Sequence, residues 1–360
     1  MNKKIKLIAF YLPQFHAIPE NDKWWGKGFT EWTHVKKAKP LFKGHNQPKI
    51  PLNKNYYNLL NPKVRYWQQK LAKKYGIFGF CYYHYWFNGK LLIEKPAEMI
   101  LEDPKLDMPF CFSWANESWT RTWDGQDKEI LMEQKYGKEK DWKKHFNYLL
   151  KFFKLNVYIR INKKPLLLIY RATNIPNFDK MINYWSSLAK EANLEGIYVA
   201  ETVNGHQSKK FSRLSQAIVE FEPGFTLAHD VSLYFRAKRY TKHLIKQFIN
   251  PKYLIKISYD YIWKRILTRK RDPSFRIFLG AFIDWDNTAR KKYNSHIFIN
   301  VALHKFEQYL AKHISLAKKI KSDFIFINAW NEWSEGAYLE PDEKNKFTYL
   351  ETINRILKLK

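Results

Sequence analysis

Short runs of apolar and aromatic residues recur along the chain, and longer stretches with apolar residues three and four positions apart separate most of them. The composition and length of eight runs predict strands buried on both faces; they are residues 7–12, 78–83, 109–114, 166–170, 197–200, 217–221, 277–282 and 324–329. The longer stretches predict amphipathic helices at residues 62–75, 141–153, 177–192, 251–268, 296–320 and 349–357.

Eight strands separated mainly by helices predict parallel pairing and a (β/α)8 barrel. A doubly wound open sheet is the alternative, but no glycine-rich phosphate-binding turn follows the first strand. We find no internal repeat, low-complexity linker or break in composition. We therefore predict one domain over residues 1–360, a single TIM barrel with long loops after its strands.

The last predicted strand ends close to two glutamates three positions apart, Glu332 and Glu335. Side chains at this spacing diverge along a strand, so the two acids converge only if the chain turns near Trp333, as Ser334 and Gly336 would permit. One protonated and one ionised carboxyl group beside flat indole rings suit the cleavage of a glycosidic bond. The alternative is a surface turn with two solvated glutamates. Trp330, Asn331 and Trp333, which surround the acids in sequence, argue against it.

Polar and aromatic residues also follow most of the other predicted strands, at the end of the barrel where such folds carry their active sites. In chain order they are Gln14, His16, His84, Tyr85, Trp86, Trp114, Asn116, Glu117, Glu201, Glu220, Glu222, Asp284 and Trp285. Any one of them could be a structural polar group, but their repetition at so many strand ends predicts a substrate-binding surface.

Two loops add further candidates. The long segment after the first strand contains Trp24, Trp25, Glu31 and Trp32, which could form a wall over the site or cap the barrel rim. The loop after the third strand contains Arg121, which could contact an anionic substituent or form a surface ion pair.

The chain carries 63 Lys and Arg against 34 Asp and Glu, a formal net charge of +29. The lysines are scattered, which describes a diffuse positive field suited to an anionic membrane or an acidic glycan, or simply a solvated basic surface. No nucleic-acid-binding motif is present, so we expect no nucleic acid partner. The densest basic clusters, between residues 225 and 270, accompany an aromatic helix and could meet an anionic lipid or membrane; a solvated helix is the alternative.

Compartment is indicated by the cysteines and by the first residues. Cys81 and Cys111 are the only cysteines, and both lie in predicted strands, which is typical of buried free thiols in a reducing environment. The first apolar run is short and stops at Pro13, which predicts a strand rather than a signal peptide. We therefore expect a cytoplasmic protein, and peripheral contact with the inner membrane is a further hypothesis.

Several motifs together resemble a known family. They are AFYLPQFH, NDKWWGKGFTEWTHV, FCYYHYWF, SWANESWTRTWDG and NAWNEWSEGAYLEP. The sequence resembles the WbsX-type proteins of bacterial surface-polysaccharide clusters, which are similar to glycoside hydrolase family 99, the endo-α-mannosidase group. The resemblance covers essentially the whole chain, although residues 209–276 carry no specific motif.

The resemblance implies a (β/α)8 barrel and a retaining two-glutamate mechanism without a metal or other cofactor. Glu332 would draw the proton from the 2-hydroxyl of the substrate, and Glu335 would protonate the departing oxygen. The 2-oxygen would then attack the anomeric carbon to give an epoxide-like intermediate. Family 99 has histidine between the acids where this chain has Ser334, so the resemblance does not fix the finer substrate contacts.

Three functions follow as hypotheses. The first is an enzyme that cleaves or transfers α-linked sugar of an oligo- or polysaccharide, free or lipid-linked, in O-antigen, lipopolysaccharide or capsule metabolism. The second is a nucleotide-sugar-dependent glycosyltransferase, a label commonly given to WbsX-type proteins. The third is a non-catalytic glycan-binding barrel.

Overall fold

Eight parallel strands pair edge to edge and close into a barrel in the computed structural model, which describes residues 4–121, 126–205 and 211–359. The barrel strands are β1 (Lys6–Tyr11), β2 (Ile77–Phe87), β3 (Phe110–Trp114), β4 (Lys164–Ile169), β5 (Tyr198–Val203), β6 (Ala217–Glu220), β7 (Ile277–Phe282) and β8 (Phe324–Asn328). Each strand pairs with its neighbours in chain order, and β1 closes the barrel by pairing with β8. The predicted TIM barrel and its eight strands are confirmed.

Helices fill most of the connections and pack around the barrel. The α-helices of the described residues are Pro19–Trp25, Glu31–Lys37, Pro62–Lys74, Lys95–Glu102, Glu139–Phe153, Phe178–Glu191, Gly224–His229, Leu233–Leu244, Tyr259–Thr268, Thr288–Lys291, Leu303–Lys319 and Thr348–Leu359. None of the described helices is long and apolar enough to cross a lipid bilayer.

Two predicted helices begin later than expected. The helix predicted from residue 251 starts at Tyr259, and the one predicted from residue 296 starts at Leu303. The residues before them form two short strands, Ile255–Ser258 and His296–Ile299, which pair in parallel outside the barrel. In the first of these strands buried and exposed residues alternate, but four residues are too few to reveal a two-residue period next to a longer helical pattern.

The barrel core is formed by residues with almost no exposure from all eight strands and the inner faces of the helices. Strands β6 and β7 approach unusually closely, because a Cβ atom at Gly280 would lie 1.6 Å from the carbonyl oxygen of Glu220. The connections at the carboxyl ends of the strands are the long ones. Those after β1 and β6 contain three α-helices each, and the connections after β1, β3, β4 and β7 supply most of the lining of the site described next.

Candidate active site

The chain turns sharply after β8, and this turn brings both predicted acids to one place. Residues Asn331–Glu332 pair with Ala337–Tyr338 as a two-residue antiparallel ladder, and Trp333–Glu335 form a single 3₁₀ turn between them. Gly336 ends the turn with φ of 65°, the left-handed conformation that glycine adopts without strain. The turn predicted near Trp333 is therefore present, and it directs Glu332 and Glu335 into the same cleft.

The loop after β7 holds this turn from the other side. The backbone amide of Asp286 donates a 2.7 Å hydrogen bond to the carbonyl oxygen of Glu335. The turn and the loop are so close that a Cβ atom at Gly336 would lie 2.9 Å from the Cβ atom of Asp286. The relative position of the acids and the next loop is thus fixed by backbone contacts.

One buried guanidinium group, that of Arg290, joins three carboxylates. Its Nη1 atom lies 2.6 Å from Oε1 of Glu335, and its Nη2 atom lies 2.8 Å from Oε1 of Glu31 and 3.4 Å from Oε2 of Glu332. Its Nε atom donates to the hydroxyl of Ser334 at 2.6 Å. One guanidinium group thus serves three carboxyl groups, so full ionisation of all three would leave an excess of negative charge in a buried site.

This excess of carboxyl groups affects the protonation of Glu332 and Glu335. Burial and the charge of Glu335 raise the pKa of Glu332 well above its ordinary value, while Arg290 opposes the rise. Burial also raises the pKa of Glu335, again against Arg290. Two buried carboxyl groups with raised pKa values do not both ionise readily, so the pair favours a state with one shared proton over full ionisation of both groups. A site with one proton and one charge on two carboxyl groups can act as acid and base together.

The cleft around the acids has a volume of about 750 Å³, which is large enough for several sugar units. Its walls combine aromatic rings with polar and charged groups. Besides the two acids, the lining residues are Leu12, Gln14, Trp25, Tyr83, Tyr85, Ala115, Glu117, Ser118, Trp119, Thr120, Leu131, Tyr170, Arg171, Asn174, Phe221, Trp285, Asn287, Arg290 and Lys291. In the described part of the chain no group of three or more His, Cys, Asp or Glu side chains is arranged to hold a metal ion.

Some of the residues predicted from strand ends line this cleft and others do not. Those that do are Gln14, Tyr85, Glu117 and Trp285, with Trp25 from the long first loop. Strand β2 shows the reason for the division, since successive side chains of a strand point to opposite faces. Tyr85 faces the cleft, whereas His84 and Trp86 contact His145 of the helix layer, His84 through ring nitrogens 2.8 Å apart.

A second group of predicted residues lies behind the cleft and supports its walls. Glu31 has no exposure and bonds Arg290. The amide group of Asn116 bonds both the backbone N–H and the carbonyl of Arg171, at 2.7 and 2.8 Å, and Arg171 in turn pairs with Glu117 in the cleft wall. These side chains hold groups that line the cleft instead of lining it themselves.

The residues beside the acids in sequence are also supporting ones. Asn331 accepts a hydrogen bond from the backbone N–H of Leu12 at 2.8 Å and donates to its carbonyl at 2.9 Å. Trp333 stacks on Tyr338 and donates to Glu340 at 2.7 Å. Three other tryptophans predicted for the site, Trp32, Trp114 and Trp330, are at most 4% exposed and pack in the core.

The other predicted residues lie apart from the acids. Glu201 accepts hydrogen bonds from Ser212 and Ser215 and borders a separate pocket. Glu220 and Glu222 form buried ion pairs with Arg269, and Asp284 lies 3.5 Å from Lys49. Three more have structural surroundings: His16 is buried, Trp24 packs edge-on against Trp119, and Arg121 forms an ion pair with Glu129.

Sequence reasoning missed several residues of the site, of which Arg290 is the most consequential. It lies in the short helix Thr288–Lys291 after β7, and its only signal was a charged residue in a loop that follows a barrel strand. Tyr83, Tyr170 and Arg171 were missed because a single sequence does not show which residues of a strand end face inward. The part of the SWANESWTRTWDG motif at 122–125 lies outside the described residues.

Two solved structures resemble this one over nearly their whole length. One is described as a glycoside hydrolase-like protein, with a TM-score of 0.61, 12% sequence identity, and coverage of 99% of this chain and 94% of that one. The other is the GH99 endo-alpha-mannosidase from Bacteroides thetaiotaomicron in complex with bis-tris propane, with a TM-score of 0.60, 11% identity, and coverage of 98% and 96%. At such identities the likeness concerns the fold, and it confirms the expected similarity to family 99.

Sequence relatives are closer. The uncharacterized protein WxcX of Xanthomonas campestris pv. campestris, from two strains, is 34% identical over 358 residues, which is 98% of this chain. The chain spans about half the length of these curated relatives, since the match covers 49% of each. The model of the family described as "Glycosyltransferase WbsX" matches residues 7–353. Because this match covers nearly the whole chain, the chain belongs to the WbsX glycosyltransferase family.

Proposed function

We propose that the protein is a carbohydrate-active enzyme that cleaves or transfers α-linked sugars, with retention of configuration, in the metabolism of a bacterial surface polysaccharide such as O-antigen or capsule. One observation supports the proposal above all others. Two glutamates with raised pKa values share one arginine in a cleft walled by aromatic rings. Paired carboxyl groups of this kind are the usual means of breaking a glycosidic bond.

The family 99 resemblance supplies the order of steps. Glu332 takes the proton of the substrate 2-hydroxyl as the 2-oxygen bonds to the anomeric carbon. The bond from that carbon to the leaving oxygen breaks, and Glu335 gives its proton to this oxygen. The oxygen of water, or of an acceptor hydroxyl, then bonds to the anomeric carbon and breaks the bond from that carbon to the 2-oxygen. Glu335 takes the proton of the attacking hydroxyl group, and Glu332 returns the proton it had taken to the 2-oxygen.

The electrostatics of the free protein bear on these roles. The Nη1 atom of Arg290 lies 2.6 Å from Glu335, whereas its Nη2 atom lies 3.4 Å from Glu332, so the guanidinium group favours the ionised form of Glu335 more strongly. Burial and the charge of Glu335 both favour the neutral form of Glu332 by raising its pKa. The shared proton is thus more stable on Glu332 before substrate binds, whereas the proposed first step needs it on Glu335. We propose that the substrate 2-hydroxyl, placed against Glu332, favours the ionised form of that group and shifts the proton to Glu335.

The cleft also supports a glycan as the ligand. Tyr83, Tyr85, Tyr170 and Trp285 present flat rings, on which the C–H faces of pyranose units can pack. The charged groups Arg171 and Lys291 lie in the same walls and can bond hydroxyl or acidic substituents. We propose an oligo- or polysaccharide, lipid-linked while it is being assembled, as the substrate.

The reducing compartment is part of the same proposal. Cys81 and Cys111 face each other on adjacent strands, and both are buried and free. Neighbouring thiols that stay unpaired are typical of a cytoplasmic protein. We place the enzyme in the cytoplasm, at the inner membrane where lipid-linked precursors are built.

The family's description favours a second candidate, a glycosyltransferase that uses a nucleotide sugar. β1 is followed by Leu12, Pro13 and Gln14, without the glycine-rich turn that commonly holds a diphosphate. A thermal-shift panel of UDP-, GDP- and dTDP-sugars tests this candidate, because a ligand at a hundred times its Kd stabilises the folded state by about 2.7 kcal/mol. A glycan-binding barrel without turnover would bind sugar equally well after both acids are neutralised.

Glu332→Gln and Glu335→Gln, compared on two kinds of substrate, test the proposed roles. One is the natural type of α-linked glycan, and the other is an α-glycosyl fluoride of the same sugar, whose leaving group needs no proton. We expect both variants to lose about 10²–10⁴-fold in kcat on the glycan. Glu335→Gln should recover much of its rate on the fluoride, because only the general acid becomes unnecessary there.

The matched control is Glu351→Gln, an exposed glutamate on the last helix, which should behave as the native protein. Recovery of Glu332→Gln in place of Glu335→Gln would reverse the two roles. Full activity of either active-site variant on the glycan would contradict the proposal for that residue.

A further inference from the structure

One segment of the connection between β6 and β7 exposes its apolar side chains. It comprises the helix Leu233–Leu244 and the π-helical turn Ile245–Ile249 that continues it, and we call it the 233–249 segment. Ten large apolar residues of the described chain are exposed, and six of them lie here. With their exposed fractions they are Leu233 (81%), Tyr234 (74%), Tyr240 (63%), Ile245 (36%), Phe248 (74%) and Ile249 (76%).

The helix Leu233–Leu244 exposes much of its apolar surface instead of packing it against the protein. Phe235 stacks on Tyr261 with ring centroids 4.6 Å apart, Arg239 donates to the carbonyl of Leu227, and Lys246 donates to that of Tyr293. At about 100° per residue, these three side chains share one side of the helix. Leu233, Tyr234 and Phe248 lie on the opposite side. A helix on a water-facing surface buries its apolar stripe, whereas this one packs through one aromatic and two basic side chains and exposes most of its large apolar residues.

The stretch of sequence that contains the 233–249 segment, residues 231–259, carries charge of only one sign. Between Asp230 and Asp260 the sequence contains no acidic residue. It contains seven Lys and Arg residues and one His, namely Arg236, Lys238, Arg239, Lys242, His243, Lys246, Lys252 and Lys256. Exposed apolar side chains surrounded by cations describe a surface for a partner that is both anionic and apolar.

We propose that the 233–249 segment docks on an anionic phospholipid bilayer, with the apolar side chains among the acyl chains and the cations at the headgroups. Such a bilayer matches both properties of the surface at once. A second copy of the chain would oppose cation to cation, in a protein with net charge +29. Nucleic acid would match the cations, but it offers no apolar phase to aliphatic tips such as Leu233 and Ile249.

The segment lies beside the mouth of the cleft. Lys246 bonds the carbonyl of Tyr293, three residues after Arg290 of the site. Cations of the segment and of the cleft both act on His296. Burial, Arg239 and Lys246 of the segment, and Lys291 together lower the pKa of His296 to about 4. Lys291 also lines the cleft. A docked segment would thus place the cleft next to the membrane surface, within reach of a lipid-linked glycan. This last consequence rests on the proposed function, but the docking does not.

Vesicle flotation with the whole chain tests the docking. Vesicles of phosphatidylcholine with about one third phosphatidylglycerol should carry the protein with them, and vesicles of phosphatidylcholine alone should carry much less. Binding should weaken as salt is added, because headgroup charges are screened beyond about 8 Å at physiological ionic strength. Failure of the native chain to float with the anionic vesicles would overturn the proposal.

Two paired variants locate the contact. Leu233→Ser with Phe248→Ser should weaken vesicle binding about tenfold or more by removing apolar contact, and Arg236→Glu with Lys238→Glu should do so through charge. The matched controls are Leu359→Ser, which is 79% exposed on another helix, and Lys312→Glu with Lys319→Glu, two exposed cations on the helix Leu303–Lys319. Equal losses in test and control variants would refute a specific surface, since only diffuse charge would then be acting.

Two further results would also count against the proposal. One is dimerisation in analytical ultracentrifugation that Leu233→Ser with Phe248→Ser abolishes, without vesicle binding by the native chain; this would assign the surface to a second copy. The other is tighter binding to RNA than to anionic vesicles. The assay needs no catalysis, and Glu335→Gln should float as the native protein does, so the docking and the proposed reaction fail or succeed separately.

Discussion

Replacing Arg290 by methionine tests how the site tolerates its acids. The side chain is 8% exposed and is the cation that Glu31, Glu332 and Glu335 share, at exposed fractions of 0, 8 and 18%. Methionine fills much of the same space without charge or hydrogen bonds. Removing one partner of a buried ion pair costs about 3–5 kcal/mol, because the remaining charge stays buried without compensation.

This cost converts into a shift in melting temperature. An unfolding entropy of about 2.1 cal/mol/K per residue gives about 0.76 kcal/mol/K for 360 residues. We therefore expect Arg290→Met to lower the Tm by about 4–7 °C near pH 8, where the acids are most ionised.

The deficit should depend on pH, with a sign that the pKa directions fix. Burial raises the pKa of Glu332 and of Glu335 in the folded state above their unfolded value, and Arg290 limits the rise. The folded state thus binds more protons than the unfolded state above about pH 4.5, and stability falls as pH rises through that window. Without Arg290 the folded pKa values rise further, so the variant should lose stability with pH more steeply and approach the native protein near pH 4.5.

Differential scanning calorimetry from pH 4.5 to 8 measures the effect. Arg355→Met is the control, since Arg355 pairs with Glu307 at half exposure on the surface and should leave the Tm unchanged. Glu31→Gln combined with Arg290→Met should recover part of the loss by removing one carboxylate. A deficit that is the same at every pH, or no deficit at all, would refute the reasoning.

Three further outcomes are expected. Burial raises the pKa of Glu340 to about 7, so the native protein should lose about 3 kcal/mol of stability as pH rises from about 4.5 to 7. Glu340→Gln should abolish this loss, as measured by Tm against pH. Asn331→Ala leaves the buried N–H and carbonyl of Leu12 without their side-chain partner and should cost about 2–4 kcal/mol in urea unfolding. Trp285→Ala should lower kcat/KM on the glycan about tenfold by removing a ring from the cleft wall, whereas Trp67→Ala, outside the cleft, should not.

The regular parts of the barrel were predictable because their patterns are local. A strand buried on both faces is a short, continuous apolar run, and a helix between strands repeats its apolar residues every three or four positions. The turn after β8 was predictable too, since Glu332 and Glu335 could converge only if Ser334 and Gly336 bent the chain. The late starts of the helices at Tyr259 and Leu303 were not, because the strands before them pair with each other 41 residues apart in sequence, at Ile255 and His296.

The supporting residues were harder to assign than the acids. At the end of β2 the sequence offers tyrosine, histidine, tyrosine and tryptophan in succession, any of which suits a sugar site. Alternation lets only one set face the cleft, and the helix that packs outside the barrel takes His84 and Trp86 into its own contacts. The same limit hid Tyr83 and Tyr170, whose inward direction depends on the barrel and not on their neighbours in sequence.

The sequence alone determined the eight barrel strands, the barrel, the family and Glu332 and Glu335 as candidate acids, because each of these depends on residues close together along the chain. Only the tertiary structure decided that Arg290 stands between Glu31, Glu332 and Glu335, and that the 233–249 segment turns its apolar side outward. Both depend on contacts between residues far apart in sequence. The charge balance of a site and the exposed side of a helix are set by what packs against them, and a single sequence does not record it.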